Sequence, residues 1–252
     1  MPKPKNRRVI TRDRYDAVLF DLDGVITDTA NLHAACWKKM FDEYLRKRAA
    51  QSGEVFRPFD LASDYRLYVD GKPRFDGVRD FLASRAIKLP EGSRNDPPQV
   101  ETVCGLGNRK NDLVNEVIEK MGVEPYPGSV ALIRQLREEG FRIAVVTSSQ
   151  NCTAVLKAAK LDAVFEVQVD GNTIHAQNLA GKPAPDTFLM AARLLGVAPA
   201  RAVVIEDAIS GVQAGRSGHF GLVIGIARKG NAEELQHHGA HVVVTDLGEL
   251  VD

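Results

Sequence analysis

Three cysteines in 252 residues, Cys36, Cys104 and Cys152, form an odd and widely spaced set with no CxxC. That excludes a disulfide scaffold and points to a reducing compartment. No apolar run approaches the roughly 18 residues a membrane span requires. A surplus of either charge is missing too, since Lys plus Arg and Asp plus Glu number 33 each and the formal net charge is zero. Nucleic acid as a main partner calls for a basic surplus, and an acidic disordered chain calls for the reverse. The basic segment 1–16 lacks the apolar stretch of a signal peptide and is expected to be a solvated arm ahead of the first strand. There is no internal repeat and no low-complexity tract. The expectation is a soluble, cytoplasmic monomer with no nucleic-acid and no membrane partner. With 44% hydrophobic and 26% charged residues, the chain can bury the core of one large domain or two modest ones.

What is present is a series of five short apolar runs, at 17–20, 143–146, 202–205, 222–226 and 242–244. They do not alternate with polar residues, which suits strands buried on both faces of a parallel sheet. Amphipathic helical patterns separate them, one over 129–139 stopped by Gly140 and one over 185–195 stopped by Gly196. Strand and helix alternating in this way predict a doubly wound, Rossmann-like α/β core. About 100 residues then intervene between the first two strands, far more than a plain crossover needs. They read as helices over 32–50, 77–84 and 110–121 with Gly-, Pro- and Asp-rich connections. The economical reading is a helical domain inserted after the first strand, with the core formed by residues 1–29 and 125–252 and the cap by 30–124.

Ligands of open α/β sheets bind beyond the carboxyl ends of the strands. Three of the apolar runs end in polar groups: Asp21-Leu-Asp23-Gly24, Thr147-Ser148-Ser149 and Glu206-Asp207. Lys182 lies just ahead of the helical pattern that begins at 185. One DxD alone is weak, because Asp is common in turns, but three such ends and a lysine together mark an active site. Four carboxylates within about 5 Å repel by roughly 3 kcal/mol per pair at an effective dielectric near 20. They stay ionised together only around a cation, and Mg²⁺ suits their hard oxygens, with Asp21, Asp23, Glu206 and Asp207 as candidate ligands. Lys182 supplies a compact positive charge for phosphoryl oxygens, and Thr147 a hydroxyl donor. The set describes phosphoryl transfer through an aspartyl phosphate, with Asp21 as nucleophile and Asp23 as general acid and base. Four carboxylates, one Mg²⁺ and one lysine still leave one negative charge before a phosphate dianion arrives. The inserted domain is the obvious source of further cations.

These four motifs, in this order, resemble those of the haloacid dehalogenase superfamily, and the likeness spans essentially the whole chain, insertion included. Within it the chain is similar to the β-phosphoglucomutases, through the opening 20–29, His33 and Trp37, Ser149-Gln150-Asn151, and Lys182-Pro-Ala-Pro-Asp186. The resemblance implies conversion of β-glucose 1-phosphate to glucose 6-phosphate through β-glucose 1,6-bisphosphate, with Mg²⁺ as cofactor and Asp21 phosphorylated. It also implies substrate-binding roles for Thr29, His33, Trp37, Gly71, Arg74, Lys110, Ser148, Ser149, Gln150 and Asn151. Gly71-Lys-Pro-Arg74 resembles the loop that holds a distal phosphate, and the segment 109–112 resembles the one that carries a second cap lysine. Gln150 stands where the family has lysine, so a distal phosphate leans more on Arg74 or Lys72. A sugar-phosphate phosphatase of the same superfamily is the alternative.

Bland readings compete at several positions. His33 and Trp37 share a helix face and are either a packed pair at the seam or a contact to substrate or Asp23. Thr29 is a hinge residue or a hydrogen-bond donor. Arg74, Lys72 and Arg79 each admit a surface ion pair. His237, His238 and His241 read as a solvated helix end, and Gly105-Leu-Gly107 lacks the third glycine and the strand of a dinucleotide site.

Overall fold

We describe residues 8–228 and 230–252 in a computed structural model; the first seven residues of the expected arm lie outside the described residues. The first strand, β1 (Ala17–Phe20), has no exposed residue and pairs in parallel with β2 (Arg142–Val146) on one side and β4 (Ala202–Glu206) on the other. β3 (Val167–Val169), β5 (Leu222–Ile226) and β6 (Val242–Val244) complete a six-stranded parallel sheet of order β3-β2-β1-β4-β5-β6. All five expected strands are present. β3 has no counterpart in the sequence reading, being three residues long with Gln168 at its centre.

The period of two divides the strands between two apolar layers. Val18, Phe20, Ile143, Val145, Val203 and Ile205 face α4 (Pro127–Glu138) and α5 (Cys152–Ala158). Their neighbours Leu19, Ala144, Val146 and Val204 face α7 (Asp186–Leu194) and α8 (Ile209–Ser217), while α6 (Gly171–Ala176) follows β3 and α9 (Ala232–His237) follows β5. The order reverses between β1 and β4, so their carboxyl ends open a crevice at the switch point. Asp21 and Asp207 lie there.

The chain between β1 and α4 forms α1 (Ala30–Ser52), a π-turn (Tyr65–Val69), α2 (Arg74–Ser84) and α3 (Val103–Met121). Their apolar residues form a separate cluster built on Trp37, Met40, Phe41, Phe59, Phe81 and Leu106. Phe41 and Phe81 meet at 4.1 Å between ring centroids. α3 starts seven residues before the expected 110, because the Thr102 side chain accepts from the Gly105 N–H at 2.9 Å and caps it. Gly105 and Gly107 therefore lie inside this helix, where they weaken its helical pattern. The two connections to the sheet run side by side: Asp28 N–H donates to Glu124 O at 3.0 Å and Tyr126 N–H to Ile26 O at 2.9 Å. Among the described residues, no helix is long and apolar enough to cross a membrane. Cys36, Cys104 and Cys152 are buried and free.

Candidate active site

At the end of β1 the buried Asp21 carboxylate meets the Lys182 ammonium at 2.6 Å, and the same ammonium reaches Glu206 Oε1 at 2.6 Å and the Val146 carbonyl at 3.1 Å. The Lys182 side chain has no exposed surface, so it sits beneath the site as a fixed charge. Burial opposes that charge, yet Asp21 and Glu206 together hold the ammonium above its ordinary range. Burial pushes the Asp21 carboxyl up, against the pull of Lys182. One oxygen each from Asp21, Glu206 and Asp207 lie within 4.8 Å of one another. Three hard oxygen donors converging from the ends of two adjacent strands fit a small divalent cation.

Asp23 stands outside that group, although the sequence placed four carboxylates on the cation. Its carboxylate accepts from Thr29 Oγ1 and, at 3.4 Å, from Thr147 Oγ1, while His33 Nε2 lies 3.5 Å away. Gly24 makes the turn that permits this: its φ is +89°, and a Cβ there would sit 2.1 Å from Asp207 Oδ2. His33 Nδ1 in turn lies 2.9 Å from Lys110 Nζ. Burial, reinforced by Lys110, lowers the imidazole to about 4, and burial lowers Lys110 to about 8. Near neutral pH, then, Lys110 is the donor and His33 Nδ1 the acceptor. That leaves His33 Nε2–H toward Asp23.

The far end of the same cavity, about 70 Å³, is walled by the inserted helices. Of the three competing cations, Lys72 and Arg74 line this cavity and Arg79 does not; Lys72 is bound to Asp80 at 2.7 Å and Arg79 to both Asp76 and Glu91 at 2.7 Å. Arg74 Nη2 donates to Asn108 Oδ1 at 2.9 Å, but its buried Nε and Nη1 have no hydrogen-bond partner among the described residues. Buried guanidinium donors placed in this way fit an anionic group. Gly71, with φ +71°, brings this loop against the core, and a Cβ there would lie 2.4 Å from Ser210 Oγ. Ser148 Oγ donates to the Gly71 carbonyl at 2.7 Å.

His33, Trp37, Gly71, Arg74, Lys110, Ser148, Ser149 and Gln150 all line this cavity with Asp21, Asp23 and Thr147. Thr29 and Asn151 do not: Thr29 is buried behind Asp23, and Asn151 Nδ2 donates to Asn111 Oδ1 at 3.1 Å across the seam. Arg109 is turned away, donating to the Pro98 carbonyl at 2.7 Å. Gln150 lines the wall as an uncharged side chain, at the position where the resembled family has lysine. Tyr65 and Asp70 also line the site and were not foreseen. Their only signal in the sequence is an acidic residue directly before the Gly71 loop.

The chain matches the haloacid dehalogenase-like hydrolase family over residues 15–219. It is 52% identical to a β-phosphoglucomutase of Mycobacterium bovis over 253 aligned positions, covering 99% of this chain and 97% of the other. A Bacillus subtilis β-phosphoglucomutase is 33% identical, with 83% of each chain covered. The crystal structure of a β-phosphoglucomutase from Clostridium difficile superposes with a TM-score of 0.73 at 26% identity, over 94% of this chain and 93% of that one. Motif order, sheet order and site geometry converge with these likenesses: the chain belongs to the haloacid dehalogenase-like hydrolase family.

Proposed function

We propose that this enzyme is a phosphomutase that interconverts β-glucose 1-phosphate and glucose 6-phosphate through β-glucose 1,6-bisphosphate. The observation that carries the reading is a cavity with two anion-binding ends. One is the acid and lysine cluster at Asp21, and the other is Arg74 with two unpartnered donors. A phosphatase needs only the first.

In this reading Asp21, Glu206 and Asp207 hold Mg²⁺, which supplies charge neutralisation for the phosphoryl group when bound. Starting from phosphorylated Asp21, the C6 hydroxyl of β-glucose 1-phosphate attacks phosphorus and Asp23 takes its proton. The P–O bond to Asp21 breaks and the bisphosphate forms. The bisphosphate then turns end for end. Asp21 attacks the phosphorus on C1 and Asp23 returns the proton to the departing C1 oxygen, which yields glucose 6-phosphate and restores the aspartyl phosphate. Thr29 and Thr147 aim the Asp23 carboxylate, and Lys182 steadies the charge of Asp21 through the cycle. Arg74 holds whichever phosphate is idle.

We assign residues 30–124 as the cap and 1–29 with 125–252 as the core, on the ground that the apolar residues of 30–124 form a cluster of their own up to Leu106, and only Val123 and Ile118, next to the return crossing, pack with the sheet. Three buried free thiols suit the reducing cytoplasm. Balanced charge suits a monomer that acts on small molecules rather than on nucleic acid or membrane. The test is direct: protein with Mg²⁺, β-glucose 1-phosphate and a trace of the bisphosphate yields glucose 6-phosphate. Release of glucose and phosphate alone would replace the mutase with a sugar-phosphate phosphatase.

A further inference from the structure

The active-site cavity adjoins a second cleft of about 590 Å³ between the cap and the core, and Lys72, Arg74, Ser148 and Gln150 line both. The cap wall of this cleft carries Arg94, from the connection 85–102 between α2 and α3. Arg74 and Arg94 lie against the same ring, their guanidinium carbons 4.8 and 5.1 Å from the Phe75 centroid. One amide ties the two together. Asn108 Oδ1 accepts from Arg74 Nη2 at 2.9 Å, while Asn108 Nδ2 donates to the Arg94 and Asp96 carbonyls, each at 2.9 Å. The connection is fixed at its other side by the Val103 and Cys104 N–H groups, which donate to the Pro90 and Glu91 carbonyls at 3.0 and 3.1 Å.

Two cations held side by side repel, and the acids of the cleft do not answer them. Asp80 is taken by Lys72, and Asp76 and Glu91 are taken by Arg79. Among the described residues the Arg94 guanidinium has no hydrogen bond and no ion pair, and the buried Nε and Nη1 of Arg74 have no partner. Arg94 also presses on the Arg74 guanidinium more strongly than Asp112 attracts it. This corner of the molecule is therefore short of negative charge. A phosphate dianion supplies two charges and several acceptor oxygens, which suits two guanidiniums better than one. On the core wall Ser148 and Gln150 are both uncharged, so the cap carries the positive charge that the core side lacks.

We propose that Arg94 joins Arg74 in binding the idle phosphate of the sugar, as the second charge of a two-arginine clamp, a role that rests on the mutase reading for the existence of a second phosphate. The seat of that phosphate is the junction of the two cavities, where Arg74 lies. Arg94 is exposed, and the Asn108 bond is to its carbonyl, so its side chain can be exchanged while the loop keeps its tether.

The experiment compares Arg94→Gln with the unaltered enzyme on β-glucose 1-phosphate and on p-nitrophenyl phosphate, which carries one phosphate and needs no clamp. KM for β-glucose 1-phosphate should rise about tenfold with kcat changed by less than about threefold, and KM for the one-phosphate ester should rise by less than about twofold. Adding Gln150→Lys to Arg94→Gln should recover at least about threefold of the loss, because it returns a charge to the core wall. A KM for β-glucose 1-phosphate within about twofold of the unaltered enzyme, a loss shared equally by the ester, or a double variant without recovery overturns the proposal. A change confined to inhibition by added inorganic phosphate also overturns it, since the pair would then hold a free anion. Should the enzyme release phosphate instead of isomerising, the mutase reading fails separately. The clamp is then tested by hydrolysis of β-glucose 1,6-bisphosphate against β-glucose 1-phosphate: a preference lowered about tenfold in Arg94→Gln supports it, and an unchanged preference overturns it.

Discussion

Lys110 Nζ lies 2.9 Å from His33 Nδ1, which makes a cap lysine the partner of the imidazole beside Asp23. Because burial lowers Lys110 to about 8, its charge is present at neutral pH and lost just above it. We expect kcat/KM to fall on an alkaline limb near pH 8, and Lys110→Arg to move that limb above pH 10, read from a pH–rate profile. A limb unmoved by the substitution would assign it elsewhere. The same value carries a stability sign. Between about 8 and the ordinary 10.5 the unfolded chain binds a proton that the folded chain lacks, so folding stability contributed by this group rises with pH across that window. The thermal midpoint of the unaltered protein, relative to Lys110→Met, should therefore climb from pH 7.5 to 9.5.

Lys182 answers two buried carboxylates at once. Lys182→Met should leave Asp21 and Glu206 facing each other without a countercharge, destabilising the apo protein by about 3–5 kcal/mol. Denaturant unfolding measures this, and a change under about 1 kcal/mol would mean the acids are not held by the lysine. Asp21→Asn should abolish turnover on every substrate, and residual turnover on any of them would remove the aspartyl phosphate.

The three arginine and lysine candidates at the distal end separate by their neighbours. Arg74→Ala should lower mutase kcat/KM by about a hundredfold and affect hydrolysis of a small phosphate ester far less. Arg79→Ala removes only exposed ion pairs and should shift stability by less than about 1 kcal/mol with little effect on kcat/KM. Equal losses from the two would deny Arg74 its special place.

Chelation should separate Asp23 from the other acids. Treatment with EDTA should remove activity and added Mg²⁺ should restore it. In calorimetric titration Asp207→Asn should weaken Mg²⁺ binding by about tenfold or more, whereas Asp23→Asn should weaken it much less. If the two variants weaken binding alike, the Asp23 carboxylate belongs to the cation after all.

Gly71→Ala tests the closeness of the loop to the core. Its left-handed φ and the Ser210 hydroxyl 2.4 Å from a Cβ both resist the change. A fall in kcat/KM of about tenfold is expected, partly recovered in Gly71→Ala with Ser210→Gly, which clears the hydroxyl but not the backbone strain. No recovery would leave strain as the whole effect.

The sheet and the carboxyl-end motifs were legible because parallel strands buried on both faces, such as Val203-Val-Ile205, carry their own signature. β3 escaped because three residues around Gln168 are too few to show a pattern. As candidate metal ligands Asp23 and Asp207 were equivalent in the sequence. What distinguishes them is tertiary: two hydroxyls and an imidazole turn Asp23 from the other acids. The residues alone left Arg74, Lys72 and Arg79 level; the resemblance picked Arg74, and Asp80, Asp76 and Glu91 supply the physical reason the other two are engaged elsewhere. Tyr65 and Asp70 sit in a turn without periodicity, where no window of sequence announces a direction.

The paired connections at Ile26–Asp28 and Glu124–Tyr126 have a consequence for how the molecule is put together. With both ends of the insertion hydrogen-bonded to one another, the sheet experiences it as it would a hairpin of a few residues. The loop is closed once, within the core, whatever its length. The two crossings also form a single axle: bending one bends the other, so the helices above can swing only as a unit. A short turn spliced between Asp28 and Glu124 should therefore leave a core that still folds, and a different set of helices grafted there would inherit the same chemistry over a new floor plan.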